Sequence, residues 1–172
     1  MRTPKLMCFQ GGLLLLLSFP ALSQNLDVTV SGGGGFEAVS GITAVGASIG
    51  GPHISKHRWQ LDYLFHNGYS RDERQRHLLT FSYVRQARSG RARGFLQAGG
   101  GIATLRYLDW NPWPPGSPAP QRKNTTGFAS LLGGGVTIDV GQSFFIRPEI
   151  RLYSHSESVM ILLAAVGVGR RF

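Results

Sequence analysis

Apolar and polar residues alternate along most of this chain with a period of two. Trp59, Leu61, Tyr63 and Phe65 are interleaved with Gln60, Asp62, Leu64 and His66, so an extended segment there has one greasy face with three aromatics and one mostly polar face. Leu79, Phe81 and Tyr83 alternate with Thr80 and Ser82 in the next segment, and the polar connection 67–76 opens on an Asn-Gly turn signal. Applied along the whole chain, the pattern predicts strands at 26–36, 42–50, 57–66, 77–86, 94–107, 126–140, 143–154 and 158–172. From residue 24 onward no stretch joins a capping residue to a 3.6-residue apolar period, so no helix is expected.

The energetics of charge decide which face turns inward. Phe144, Ile146, Pro148, Ile150 and Leu152 share one side of a strand, and Phe145, Arg147, Glu149, Arg151 and Tyr153 share the other. A soluble lipocalin-like barrel would line its cavity with the first set and wet the second. A transmembrane barrel inverts this: an arginine facing lipid costs about 2–4 kcal/mol at the midplane and about 0–1 near the interface, so Arg147 and Arg151 are expected in the lumen. Eight strands, an even number, allow closure with every edge paired. Loops are then expected at 37–41, 67–76, 108–125 and 155–157, and short turns at the other end at 51–56, 87–93 and 141–142. The segment 109–124 holds five of the nine prolines and reads as an exposed loop. Glycine runs at 32–35, 99–101 and 133–135 fall inside predicted strands, where they permit tight coiling.

The N-terminal segment and the composition add a location. Arg2 and Lys5 precede an apolar stretch from Leu13 to Leu22, and Ala21 and Ser23 supply the small residues of a cleavage site, predicting an export signal at 1–23 and a barrel domain at 24–172. The stretch contains Ser18 and Pro20 and falls short of the roughly 20 residues of a spanning helix. Cleavage removes two basic and no acidic residues, taking Lys+Arg from 18 to 16 against 9 acids, a formal charge of +7. It also removes Cys8, the only cysteine, so the mature chain carries no disulfide, no cysteine-based zinc site and no cysteine nucleophile. No cofactor is expected.

The signal, the glycine-rich short strands and the closing segment Val166-Gly167-Val168-Gly169-Arg170-Arg171-Phe172 together resemble the outer-membrane protein beta-barrel domain family, the small eight-stranded OmpA/OmpX-like barrels. The resemblance covers the mature chain. It implies an all-β, eight-stranded antiparallel up-and-down transmembrane barrel in the bacterial outer membrane, a monomer with a structural or surface-interaction role. Its implied partners are outer-membrane lipids including lipopolysaccharide and, during biogenesis, the barrel-assembly machinery. In that family a terminal aromatic preceded by alternating apolar residues is the assembly signal, which maps onto Phe172, Val168, Val166 and Ala164. Arg170 departs from the pattern, since an apolar or aromatic residue is usual there. At the interface its cost is about 0–1 kcal/mol, and its guanidinium can snorkel to headgroups.

Candidate chemistry is concentrated in the expected lumen. Arg147, Glu149 and Arg151 form a charged stripe that Asp27, Asp62, His66 and Asp139 face across a lumen just wide enough to be filled by side chains. A packed ion-pair plug is expected, with a narrow pore as the alternative. A second alternative is an outer-membrane lipid A deacylase, a family this chain resembles in its eight strands and in a His and Ser near the penultimate one. That family spaces the pair His-x-Ser, whereas His155 and Ser156 are adjacent here, and Ser154 and Ser156 share the face opposite His155; no nucleophile–base pair, and no enzyme activity, is expected. Glu157 with His155 reads as a polar loop tip. His53 and His57 lie in a turn rather than on a helix, so no metal site is expected. Arg71, Arg74, Arg76 and His77 beside one loop, and Arg122 and Lys123 in another, are placed to meet lipopolysaccharide phosphates, while Arg85, Arg88, Arg91 and Arg93 surround a turn at the other end. Export disfavours nucleic acid as a partner. Trp59, Tyr63, Tyr83, Trp110 and Trp113 are candidate interfacial anchors.

Overall fold

Strands that bury one face and present grease on the other leave an open sheet with two unpaired edges, and here the sheet closes. The computed structural model describes residues 26–37, 40–54, 56–68, 74–87, 90–109, 121–155 and 159–172. The export signal expected at 1–23, together with Arg71, Arg88, Trp110, Trp113, Ser156 and Glu157, lies outside the described residues. The strands are β1 (Asp27–Glu37), β2 (Ser40–Ile54), β3 (His57–Gly68), β4 (Gln75–Gln86), β5 (Ala92–Asp109), β6 (Gln121–Val140), β7 (Phe144–His155) and β8 (Val159–Arg171). Each pairs antiparallel with its predecessor, and β8 returns to β1 through a seam running from Asp27↔Arg171 to Glu37↔Ile161. All eight predicted strands are present. The connections β1–β2, β3–β4, β5–β6 and β7–β8 leave from one end, here the loop end; the other, the terminal end, carries Asp27 and Arg171.

The largest departures from the expected boundaries are two. The β5–β6 hairpin stays paired to Asp109↔Gln121, so the loop expected at 108–125 shrinks to 110–120. Its outer residues Arg122 and Asn124 read as loop, yet ladder bonds are made by the backbone and continue past the last apolar side chain. β2 runs to Ile54 through the turn expected at 51–56, with a register shift between Gly51 and Ile54. The tight turn after β6 turns on Gly141, whose φ of +76° few side chains tolerate.

The glycine runs mark close backbone approach. A Cβ on Gly101 would lie 2.0 Å from the Leu79 carbonyl oxygen, and one on Gly99 2.2 Å from that of Phe81, so β5 presses on β4 where only hydrogen fits. Gly33 and Gly35 of β1 meet β8 in the same way. Gly101→Ala is therefore expected to destabilise the barrel by about 1–3 kcal/mol, read as a lower urea midpoint in micelles. Gly94→Ala, whose Cβ meets nothing within 4 Å, should leave the midpoint unchanged or raise it. Between β6 and β7 the ladder is interrupted from Gly135↔Glu149 to Ile138↔Ile146, the stretch that holds Pro148 and its missing N–H.

Candidate functional site

Alternation on β7 carries Arg147, Glu149, Arg151 and Tyr153 into the lumen, where all four are buried. β3 contributes Arg58, Gln60 and Asp62 from its inward face, β1 Asp27, β4 Ser82 and β5 Gln97. Glu149 lies between two guanidinium groups, with Oε2 3.2 Å from Arg147 Nε and Oε1 2.7 Å from Arg151 Nη2. Arg151 also pairs with Asp62 at 3.2 Å and donates to the Tyr153 hydroxyl at 3.0 Å. Arg147 donates to Gln60 Oε1 at 2.7 Å and Gln97 Oε1 at 3.1 Å, and its guanidinium sits 3.9 Å from the centre of the Phe95 ring. Gln60 donates to Asp62 at 2.6 Å and accepts from Arg58, which is paired with Asp27. Ser82 donates to Asp62 at 3.2 Å. The cluster balances three guanidinium groups, Arg58, Arg147 and Arg151, against three carboxylates, Asp27, Asp62 and Glu149. Mutual pairing is the condition on which charge is tolerated away from water.

Two of the expected network residues lie elsewhere. Asp139 faces inward but sits at the terminal end, where it accepts from Arg93 at 2.6 and 2.7 Å and from Arg171 at 3.3 Å, and Arg171 reaches Asp27 as well. His66 is buried at the loop end, near the tier where Arg76 pairs with Glu37 at 2.5 Å, and its ring makes no hydrogen bond among the described residues. Alternation fixes which face a residue takes; its height in a tilted barrel depends on strand stagger, which the residue pattern does not encode. Arg58, Gln60, Gln97 and Glu37 were missed, although Arg58 and Gln60 precede Asp62 at two-residue spacing on one face and carried a legible signal. Arg76, expected at the surface to meet lipopolysaccharide phosphates, is instead fully buried in the lumen, because its parity on β4 turns it inward onto Glu37.

The interior is not uniformly polar. Leu64, Leu78, Leu131, Ile161 and Leu163 belong to one buried apolar cluster, with Ile42 and Ala103. On β3 the order toward the loop end is Asp62, Leu64, His66: ion cluster, apolar layer, second polar tier.

Outside, the pattern reverses. Phe36, Leu96, Ile102, Phe128, Leu132 and Met160 are each more than half exposed, at 65, 71, 54, 65, 60 and 58%, and apolar residues continue around the wall. Soluble monomers rarely expose contiguous apolar surface beyond a few hundred Å². On β3 and β4 the belt is aromatic: Trp59 stacks on Phe81 at 5.2 Å and meets Tyr83 edge-on. The Tyr83 hydroxyl bonds His57 toward the terminal end, and the Tyr63 hydroxyl bonds His77 at 2.8 Å toward the loop end. Ala164, Val166 and Val168 face outward on β8; Arg170 lies over the Phe172 ring at 4.9 Å, and the Phe172 amide donates to Leu26 at 2.9 Å. His155 points inward and Ser154 outward, so these neighbours share no face. Among the described residues no group of three or more metal-ligating side chains forms.

These features define a class: an all-β, eight-stranded antiparallel closed barrel with charge inside and grease outside, the fold of small outer-membrane barrels. Among solved structures the chain is similar to the N-terminal β-barrel domain of Pseudomonas aeruginosa OprF (18% identity, TM-score 0.62, covering 87% of this chain and 98% of that one). It is also similar to Neisserial surface protein A, NspA (12%, 0.67, 86% and 96%), and to the outer membrane enzyme PagL (15%, 0.55, 84% and 99%). No family model and no curated relative matches it.

Proposed function

We propose that this chain is a monomeric barrel of the bacterial outer membrane with a structural or surface-interaction role, no catalytic site, and a lumen plugged by its own side chains. The observation that carries the reading is the inversion itself: three paired guanidinium–carboxylate charges on each side of the balance inside, and an apolar belt outside. The apolar layer that follows the ion cluster along β3 leaves little room for a water column, which favours a plug over a pore. The export signal expected at 1–23 from Arg2, Lys5 and the apolar stretch after them agrees with this location. Ala164, Val166, Val168 and Phe172 are proposed as the signal read by the assembly machinery; the first three lie outward on the strand that closes the seam.

The test is fractionation of cells expressing the full chain, with gel migration before and after heating. Recovery in the outer membrane with a heat-dependent shift is expected, and a detergent-free soluble product would exclude the reading. Purified protein in a planar bilayer should be electrically silent; stable conductance would replace the plug by the pore. The acyl-hydrolase alternative draws on the fold shared with an outer membrane enzyme, but His155 and Ser154 face opposite ways. Lipid A acyl content should be the same with and without the chain, and with His155→Ala.

A further inference from the structure

The register of β3 to β6 creates a second kind of surface just beyond the apolar belt. At the loop end Asn67 pairs with Gln75, Gln75 with Arg106 and Arg106 with Asn124, so four polar side chains stand in one row, all exposed on the outward face. At about 4.8 Å between strands the row spans roughly 14 Å. One step farther out Arg122 pairs with Leu108, and these two join Gln75, Arg106, Tyr107 and Asn124 around a recess of about 210 Å³. Arg58, Arg93, Arg147, Arg151 and Arg171 each pair with a carboxylate, whereas among the described residues none pairs with Arg106 or Arg122.

The row beneath is different again. Phe65, His77, Thr104 and Thr126 stand side by side, with the Tyr63 hydroxyl on His77 and the two threonine hydroxyls 3.2 Å apart. Below them lie Ile102 and Phe128 of the belt. Over three rows the wall passes from grease through hydroxyl and imidazole to amide and guanidinium. A glycolipid has the same order: acyl chains, ester and sugar oxygens, phosphate.

We propose that this flank binds the phosphorylated saccharide headgroup of a glycolipid in the leaflet around the loop end. Arg106 and Arg122 hold the phosphate through charge-assisted hydrogen bonds, and Gln75 and Asn124 bond sugar hydroxyls. The inference rests on the outer-membrane reading, takes up the lipopolysaccharide expected as a partner, and gives it a site on the outward face of β3 to β6. Free phosphate offers the same oxygens but leaves the hydroxyl and apolar rows without a role.

The test uses the full chain, folded in detergent and shown to migrate heat-dependently, with purified lipopolysaccharide as probe. Arg106→Gln/Arg122→Gln should weaken binding by at least about tenfold, while Arg85→Gln/Arg91→Gln, at the terminal end, should bind as the unmodified chain does. Lipopolysaccharide stripped of phosphate should bind the unmodified chain as weakly as intact material binds the first variant, an arm that needs no variant to fold. Neither phosphatidylglycerol nor inorganic phosphate should compete. Undiminished affinity in a folded first variant, equal loss in the second, indifference to phosphate removal, or competition by phosphatidylglycerol or inorganic phosphate would each overturn the inference alone. A chain that never inserts overturns it together with the outer-membrane reading.

Discussion

Replacing Glu149 by glutamine is expected to lower the unfolding free energy by about 3–5 kcal/mol, a large share of the roughly 5–15 kcal/mol that holds an ordinary domain together. Glu149 is the carboxylate that both Arg147 and Arg151 touch, so the substitution leaves three guanidinium groups against two carboxylates among buried side chains. Glutamine keeps the volume and offers one carbonyl oxygen in place of a shared charge. The cost measures breaking the set rather than the worth of having it. Replacing Asp62, Arg147, Glu149 and Arg151 together by apolar residues of similar volume should cost far less than the sum of single changes, because no charge is stranded among these four. Urea titration in micelles, followed by tryptophan fluorescence and by the heat-dependent gel shift, reads both. A Glu149→Gln midpoint equal to that of the unmodified chain would mean that solvent or counter-ion reaches the cluster, and the plug would have to be given up.

Leu61→Arg is expected to cost about 2–4 kcal/mol, against about 0–1 for Asn67→Arg on the same face of the same strand. Leu61 points outward between Trp59 and Tyr63, between the His57–Tyr83 and Tyr63–His77 pairs that edge the belt. From His57 to Phe65 is eight steps of about 3.3 Å; at a tilt near 40° this rises roughly 20 Å, close to the height of a membrane barrel's apolar band. Asn67 lies beyond that edge. On a soluble barrel both substitutions would be exposed surface changes within about 0.5 kcal/mol of neutral. Folding yield into lipid vesicles and the unfolding midpoint of both variants decide the matter, and two equal small effects would remove the bilayer from the account.

Much of this architecture was legible because outward faces are so consistently apolar. On β3, Trp59 to Phe65 gives face and span at once, and the arginines of β7 settle which way the sheet curls. β8 was harder to read, since Ile161, Leu163 and Ala165 are as greasy as Leu162, Ala164 and Val166 beside them. A rule that sends charge inward does not make the whole inside charged, which is why the buried layer of Leu64, Leu78 and Leu163 was not anticipated. Height was illegible for a different reason. Asp139 and His66 have the same inward parity as Asp62 and Glu149, yet the tilt of the strands carries them to opposite ends. The last residues of β5 and the outer arm of β6 escaped notice because beyond Tyr107 and Thr126 the side chains no longer report a ladder that the backbone alone maintains.

The aromatic clustering on β3 and β4 has a consequence for how the barrel sits among its neighbours. One flank presents stacked rings edged by imidazole–phenol pairs, while the flank of β8 and β1 sets the small Gly32, Gly34 and Ala164 among mostly aliphatic side chains such as Leu162, Val166 and Val168. In a bilayer such a cylinder has a front and a back: ring edges grip the headgroup planes on one side, and acyl tails close in on the smooth side. The molecule then takes a preferred lean and a preferred heading within the plane, and a crowded membrane meets it as an object with sides.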